Sequence, residues 1–184
     1  MTLQNAKVYD IINSKAGSNT AMQGISGLMG FPFTAIMDIA VFFSHYGPML
    51  NEIRAVYGRT PIDKEDLGHI IKGCKQELLA DMVLDKFIGN IPILGLPANM
   101  ICAKSMTWRL GLLFGMLSAR GEKINQDSVL LAVRLIRTLF PQTDSLLFKK
   151  PSAVTVEKLL SGVAETSVET FDAKVSRVLD EMAF

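Results

Sequence analysis

The stretch between Lys15 and Glu52 carries one formal charge, the carboxylate of Asp38. The other residues of this stretch are apolar, small or neutral polar. A protein of this size leaves so long a stretch uncharged only when it is buried in a core, against a partner or in lipid. Which of these three surrounds the stretch decides much of what the protein can do.

The composition excludes some classes of function. The chain of 184 residues suits one domain, with 49% hydrophobic and 20% charged residues. Its formal net charge of +1 gives no field that would attract nucleic acid, so we expect no nucleic-acid partner. The segment MTLQNAKVYD lacks the basic and apolar regions of a signal peptide. We therefore predict a cytoplasmic protein, in which Cys74 and Cys102 are buried thiols.

Glycine and proline divide the chain into helical segments, and the alternation typical of strands is nearly absent. We predict an all-α fold, a compact bundle of about seven or eight helices around a Gly/Pro-broken apolar hairpin, with a small C-terminal helical pair. A break is expected at Gly17-Ser18-Asn19, and helix ends are expected at Gly58 and Gly121. The predicted helical segments are 3–14, 20–30, 33–57, 64–88, 97–119, 126–140, 153–162 and 167–182.

The end of the chain differs in character from the rest, because its short helices have polar faces. We expect residues 1–148 to form a helical bundle domain. Residues 149–184 are predicted to form a helical appendage that packs on the same domain or moves against it.

Signatures of catalysis are missing from the sequence. It contains no GxSxG, HExxH or GxxxxGK[ST] segment, and its histidines and cysteines lack the spacing of a metal site. Asp63, followed by Glu65 and Asp66, is typical of a helix start with Asp63 as the N-cap. We therefore predict no catalytic residue, no cofactor, no metal and no enzymatic activity.

Small residues recur at helical spacing in both apolar parts of the chain. Gly24, Gly27 and Gly30 are three residues apart, and Gly111 and Gly115 form a GxxxG segment. Each glycine weakens a helix by about 1 kcal/mol, which is tolerable where a second helix must approach closely. These five glycines are the predicted close-packing face.

Asp38 is the candidate for a buried ion pair. An ionised carboxylate in an apolar helix is costly unless it is paired or hydrogen-bonded. Lys104 and Arg109 are the cations in the second apolar part of the chain, so we predict that Asp38 pairs with one of them. The alternative is that Asp38 faces water near a bend or caps a local turn.

The apolar run Ala16–Met37 is long enough for a membrane span, but its glycines and Pro32 divide it. In the second apolar part, Lys104 and Arg109 would each cost about 2.5–3.5 kcal/mol inside a span. A buried hairpin, or one that enters lipid only shallowly, is therefore expected rather than two full spans.

Two segments resemble a known family. They are PFTAIMDIAVFFSHYGPMLNEIRAVYG (32–58) and PILGLPANMICAKSMTWRLGLLFGMLSARGE (92–122). With Pro32, Asp38 and Tyr57-Gly58 at the matching positions, they resemble the YcjF-type bacterial helical domain (domain of unknown function 697). That domain occurs alone or attached to Era-like and dynamin-like GTPases. The resemblance implies an all-helical module associated with membranes or with a GTPase, and it supplies no catalytic residues.

These observations favour a non-enzymatic helical interaction module in the bacterial cytoplasm, peripheral at the inner membrane if it contacts lipid. Its expected partner is a GTPase, a second copy of the chain or the membrane surface. One alternative is a membrane-inserting helical-hairpin protein. Another is a small apolar-ligand binding protein, with a cavity near Asp38 that His45 and Arg109 would line.

Overall fold

The computed structural model describes residues 2–26, 39–63, 65–66, 68–70, 95–121, 123–125, 128–129 and 149–164. All regular secondary structure within these ranges is helical, so the described part of the chain is all-α, as the sequence predicts. Its complete helices are α1 (Leu3–Ser26), α2 (Ile39–Val56), α3 (Gly95–Arg120) and α4 (Ala153–Ala164). The turn of the predicted hairpin, most of helices 64–88 and 126–140, and helix 167–182 lie outside the described residues.

Helix α3 is central to the described helices, since it contacts each of the other three. It runs antiparallel to α1, because Gly111 of α3 lies against Ile12 while Gly115 lies against Val8. Nearly every side chain of α3 between Leu110 and Ser118 is buried, which explains why this segment is almost free of charge. The largest fully buried side chains here are Trp108, Phe114, Ile12, Leu50, Ile53, Ile70, Leu112, Met116, Leu117 and Leu160.

Helix α1 continues through the predicted break at Gly17-Ser18-Asn19, so that prediction is wrong. One glycine costs a helix only about 1 kcal/mol, less than the burial of one large apolar side chain contributes. Val8, Ile12 and Ala16 recur every four residues, and all three are fully buried. The hydroxyl of Ser18 donates to the Lys15 carbonyl (3.0 Å) within the helix. Packing along α1 therefore overrides the local signal for a break.

The predicted helix ends at Gly58 and Gly121 are confirmed. Both glycines have positive φ, +66° and +72°, the left-handed conformation that closes a helix. After α2, the Gly58 amide donates to the Ala55 carbonyl and the Arg59 amide to the Arg54 carbonyl, both at 3.0 Å. These two bonds form a Schellman motif, which satisfies carbonyls that the helix leaves unpaired.

Arg59 links the end of α2 to the end of α3. Its Nε donates to the Ser118 carbonyl (3.0 Å), which places a guanidinium at the negative end of the α3 dipole. A methyl group on Gly121 would overlap this guanidinium, whereas one on Gly58 would meet nothing within 4 Å.

We expect the two glycines to respond differently to alanine. Gly58→Ala should cost about 1–2 kcal/mol of unfolding free energy, from left-handed strain alone. Gly121→Ala should cost more, about 2–3 kcal/mol, because the Arg59 cap must also move. Urea unfolding of both variants measures the difference. Equal losses would show that the Arg59 cap contributes nothing.

The predicted N-cap at Asp63 is also confirmed. Its Oδ1 accepts hydrogen bonds from the amides of Glu65 and Asp66, both at 2.8 Å. The Asp66 carboxylate accepts in return from the Asp63 amide (3.3 Å). These carboxylates thus cap the N-terminus of a helix.

Helix α4 confirms the predicted helix at 153–162 and packs on the other helices. The hydroxyl of Ser152 accepts from the Thr155 amide (3.1 Å) as its N-cap. Val156 and Leu160 are fully buried where α4 contacts α1 and α3. The start of the C-terminal appendage is therefore part of the core. None of the helices that the structure describes combines the length and the apolar character needed to cross a bilayer.

Candidate functional site

Of the predicted ion pair, the structure describes the two candidate cations and not the carboxylate. Lys104 and Arg109 are half-buried on α3, while Asp38 lies outside the described residues. The structure does give the direction of α2, which starts directly after Asp38 and runs parallel to α3. Tyr46 hydrogen-bonds the Thr107 side chain, and Arg59, beyond the end of α2, reaches Ser118. The start of α2 therefore lies toward the N-terminal end of α3.

The His45–Tyr46 pair marks where α2 meets its neighbours. The two rings meet edge to face, with centroids 4.7 Å apart. Burial raises the pKa of Tyr46 to about 12, although its hydrogen bond to Thr107 opposes that shift. Burial, and then the charge of Lys15 on α1, lower the pKa of His45. Both groups are therefore neutral near pH 7. Asp38, near which the sequence predicts a cavity, lies outside the described residues.

The two glycines of α3 lie where α1 and α4 approach it. A methyl group on Gly111 would overlap Ile12 Cγ1 and lie 2.8 Å from Ile12 Cδ1. One on Gly115 would lie 3.1 Å from Leu160 Cδ2 and 3.4 Å from Val8 Cγ1. Gly111 thus leaves less room for a side chain than Gly115 does.

The other three glycines of the predicted face are less well described. Gly24 belongs to the last part of α1, where the structure describes only the backbone. Gly27 and Gly30 lie outside the described residues. For these three, close packing stays a prediction.

A polar network that the sequence analysis missed joins three parts of the fold. The hydroxyl of Tyr57, just beyond α2, donates to Asn5 Oδ1 on α1 at 2.7 Å. Asn5 Nδ2 donates to Ser161 Oγ on α4 (3.0 Å), and that hydroxyl donates to Glu157 Oε1 (3.2 Å). The backbone amide of Thr2 also donates to Glu157 Oε1 (2.9 Å). The network ties the start of α1 to α2 and α4.

One signal in the sequence could have identified this network. Asn5 precedes Val8 by three residues and Ile12 by seven, so it shares their buried helical face and is only 5% exposed. A polar amide on such a face needs partners. For Tyr57, the family resemblance is the signal that the sequence offers.

The network changes the ionisation of two members. Burial and the nearby charge of Glu157 raise the pKa of Tyr57 to about 12. Burial would raise the pKa of Glu157, but hydrogen bonds from Thr2, Asn5 and Ser161 outweigh it and hold that pKa below 4.5. At neutral pH the network therefore contains a carboxylate and a neutral phenol.

We expect Glu157 to make stability sensitive to acid. Its pKa is lower in the folded state, so its contribution is complete above the unfolded value of 4.5 and is lost as the pH falls through the folded value. Glu157→Gln should therefore flatten the fall in Tm below pH 4.5. Melting curves from pH 7 to pH 3 test this, with Glu52→Gln, an exposed carboxylate on α2, as control. An acid limb in Glu157→Gln as steep as in the wild type would contradict it.

Trp108 lies in the core of the described helices. It is fully buried, and its ring tilts on Tyr9 with centroids 5.4 Å apart. The ammonium of Lys150 also lies over the Tyr9 ring, 5.5 Å from its centroid, and donates to Asn13 Oδ1 (3.1 Å). This stack fixes the segment before α4 to α1 and α3.

The polar side chains described so far have structural tasks at helix ends and between helices. Within the described part of the chain, no three His, Cys, Asp or Glu residues are grouped to hold a metal ion. The hydrogen bonds of these side chains hold the helices together.

No family model matches the chain, and no match was found among the curated proteins or the solved structures. The resemblance to the YcjF-type helical domain therefore stays a prediction from the sequence.

Proposed function

We propose that this chain is a non-enzymatic helical interaction module of the bacterial cytoplasm, and a partner of a GTPase or of the membrane surface. Its full fold is a bundle of about seven or eight helices around the Gly/Pro-broken hairpin, with a C-terminal helical pair. The YcjF-type resemblance of segments 32–58 and 92–122 supports the choice of partner.

One observation carries the proposal. Leu3 and Val154 are the exposed large hydrophobic side chains of the described residues, at 73% and 65% exposure. The bond from the Thr2 amide to Glu157 brings the start of α1 beside α4. Leu3 follows Thr2, and Val154 precedes Glu157 by three residues, so both residues are close in the chain to this contact between α1 and α4. We name this pair the apolar end and propose that it forms part of an apolar contact surface.

Photo-crosslinking in living cells tests the proposal. A photoreactive phenylalanine analogue at position 154 should form adducts with a GTPase or with phospholipid, identified by mass spectrometry. The same analogue at Lys158, an exposed position on α4, is the control. Adducts from position 154 that contain neither a GTPase nor lipid, or that match those from position 158, would overturn it.

We also propose that Lys104, rather than Arg109, pairs with Asp38. The parallel course of α2 and α3 supports this choice, because Tyr46 lies beside Thr107 and the earlier residues of α2 lie toward Lys104. A charge pair in direct contact couples in a double-mutant cycle, usually by about 0.5–3 kcal/mol.

The expected result is non-additive loss of stability for Asp38→Asn and Lys104→Met, and additive loss for Asp38→Asn and Arg109→Met. Urea unfolding of the single and double variants measures both couplings. Coupling to Arg109 instead would reverse the assignment, and coupling to neither would favour a solvent-facing Asp38.

A further inference from the structure

Two buried polar atoms on α3, one helical turn apart, have no hydrogen-bond partner among the described residues. They are Ser105 Oγ and Trp108 Nε1, in residues that are 4% and 0% exposed. More than nine in ten buried polar groups in proteins have a partner, and leaving one without costs free energy. Two such atoms on one helix, three residues apart, therefore point to a shared partner outside the described side chains.

Helix geometry places the two side chains on the same face of α3. Residues three apart have Cβ atoms about 5–6 Å apart. Long helical side chains lean toward the N-terminus, so the indole of Trp108 extends over the turn that carries Ser105. The face of the indole is occupied by Tyr9, with centroids 5.4 Å apart. Its polar edge, the N–H, is the part that still needs an acceptor.

We propose that Ser105 and Trp108 together bind one oxygen atom of a small molecule inside the protein. The indole N–H can only donate, so the guest must offer an acceptor, and the serine hydroxyl can donate to the same oxygen or accept from it. An internal water fits this chemistry, as does the carbonyl or hydroxyl oxygen of a small, otherwise apolar ligand. The shared element is a hydrogen-bond-accepting oxygen.

Ser118 provides a matched contrast on the same helix. Its hydroxyl is also buried, in a residue that is 1% exposed, and has no hydrogen-bond partner within the described part of the chain. The residues one turn to either side are Gly115 and Gly121, which offer no side-chain donor. Ser118 therefore cannot share a guest with a neighbour on its own helix face.

Nuclear magnetic resonance can detect the guest directly. Trp108 is the only tryptophan of the chain, so ¹⁵N-labelled protein gives one indole N–H signal. We expect that proton to show a cross-peak to a long-lived water or to protons of a bound molecule. Organic extraction of the purified protein followed by mass spectrometry separates the two, since only a ligand is recovered. An indole proton with neither cross-peak would overturn the proposal.

A double-mutant cycle tests whether the two residues share the guest. If they do, either Ser105→Ala or Trp108→Phe releases it, and the double variant loses little more. The Tm loss of the double variant should then fall short of the summed single losses by about 2–4 °C. Ser118→Ala combined with Trp108→Phe should be additive. Additivity for Ser105 as well would overturn the shared site.

Discussion

Gly111→Ala is expected to destabilise the protein by about 1–3 kcal/mol, although alanine normally strengthens a helix by about 1 kcal/mol. The added methyl group would overlap Ile12, which is fully buried where α1 packs on α3. Relieving the overlap requires α1 to shift or Ile12 to leave its rotamer. Urea unfolding followed by circular dichroism measures the loss.

Gly115→Ala is the matched control, four residues further along the same helix. Its nearest neighbour would be a terminal methyl group of Leu160 at 3.1 Å, the end of a flexible side chain. The gain in helix propensity should offset this crowding, and stability should stay within about 1 kcal/mol of the wild type. A Gly111→Ala variant at least as stable as the wild type would contradict the close approach of α1 and α3.

Asn5→Leu is expected to cost about 2–4 kcal/mol, despite placing an apolar side chain on a buried face. The change leaves the Tyr57 hydroxyl without its acceptor, and it removes the donor to Ser161, whose own hydrogen bond to Glu157 remains. Each unsatisfied buried group costs about 1–3 kcal/mol. Thermal and urea unfolding measure the effect.

Tyr57→Phe is the milder companion change, because it removes one hydroxyl and leaves Asn5 bonded to Ser161. We expect a loss of about 0.5–1.5 kcal/mol. In the double variant with Asn5→Leu, the loss should be smaller than the sum of the two single losses, because the two groups share a bond. Additive losses would show that the bond contributes nothing to stability.

The features that sequence reasoning predicted well depend on neighbouring residues. The N-cap at Asp63 and the helix ends at Gly58 and Gly121 follow from which backbone conformations and hydrogen bonds those residue types favour locally. The all-α character follows from the spacing of apolar residues in the same way. Such signals are contained within about one helical turn.

The features that it missed depend on residues distant in sequence. Asn5 bonds Tyr57 across 52 positions and Ser161 across 156, so the local pattern places Asn5 on a buried face but does not identify its partners. The continuity of α1 through Gly17 likewise does not follow from the local sequence, which favours a break. The Ser105 and Trp108 pair becomes visible only when burial and hydrogen bonding are both known.

Polar residues of the described helices cap helix ends or join one helix to another. The sequence presented Asp63, Glu65 and Asp66 as the start of a helix, and the structure shows the same use for Asn5, Arg59 and Ser152, which cap or join helices. Polar groups used in this way hold a fold in one arrangement. A fixed arrangement of helices would suit the proposed function, in which the protein presents a surface to a partner.

The apolar end is the feature of the molecule that bears most directly on the proposed function. Binding of the crosslinked partner, purified GTPase or vesicles of phosphatidylethanolamine and phosphatidylglycerol, should be measured for Leu3→Gln/Val154→Gln beside the wild type. The control is Lys7→Gln/Lys158→Gln, which changes exposed positions on the same two helices. We expect the apolar-end variant to bind about tenfold or more weakly than the wild type, and the control to bind with an affinity close to that of the wild type. Equal binding by all three proteins would contradict it.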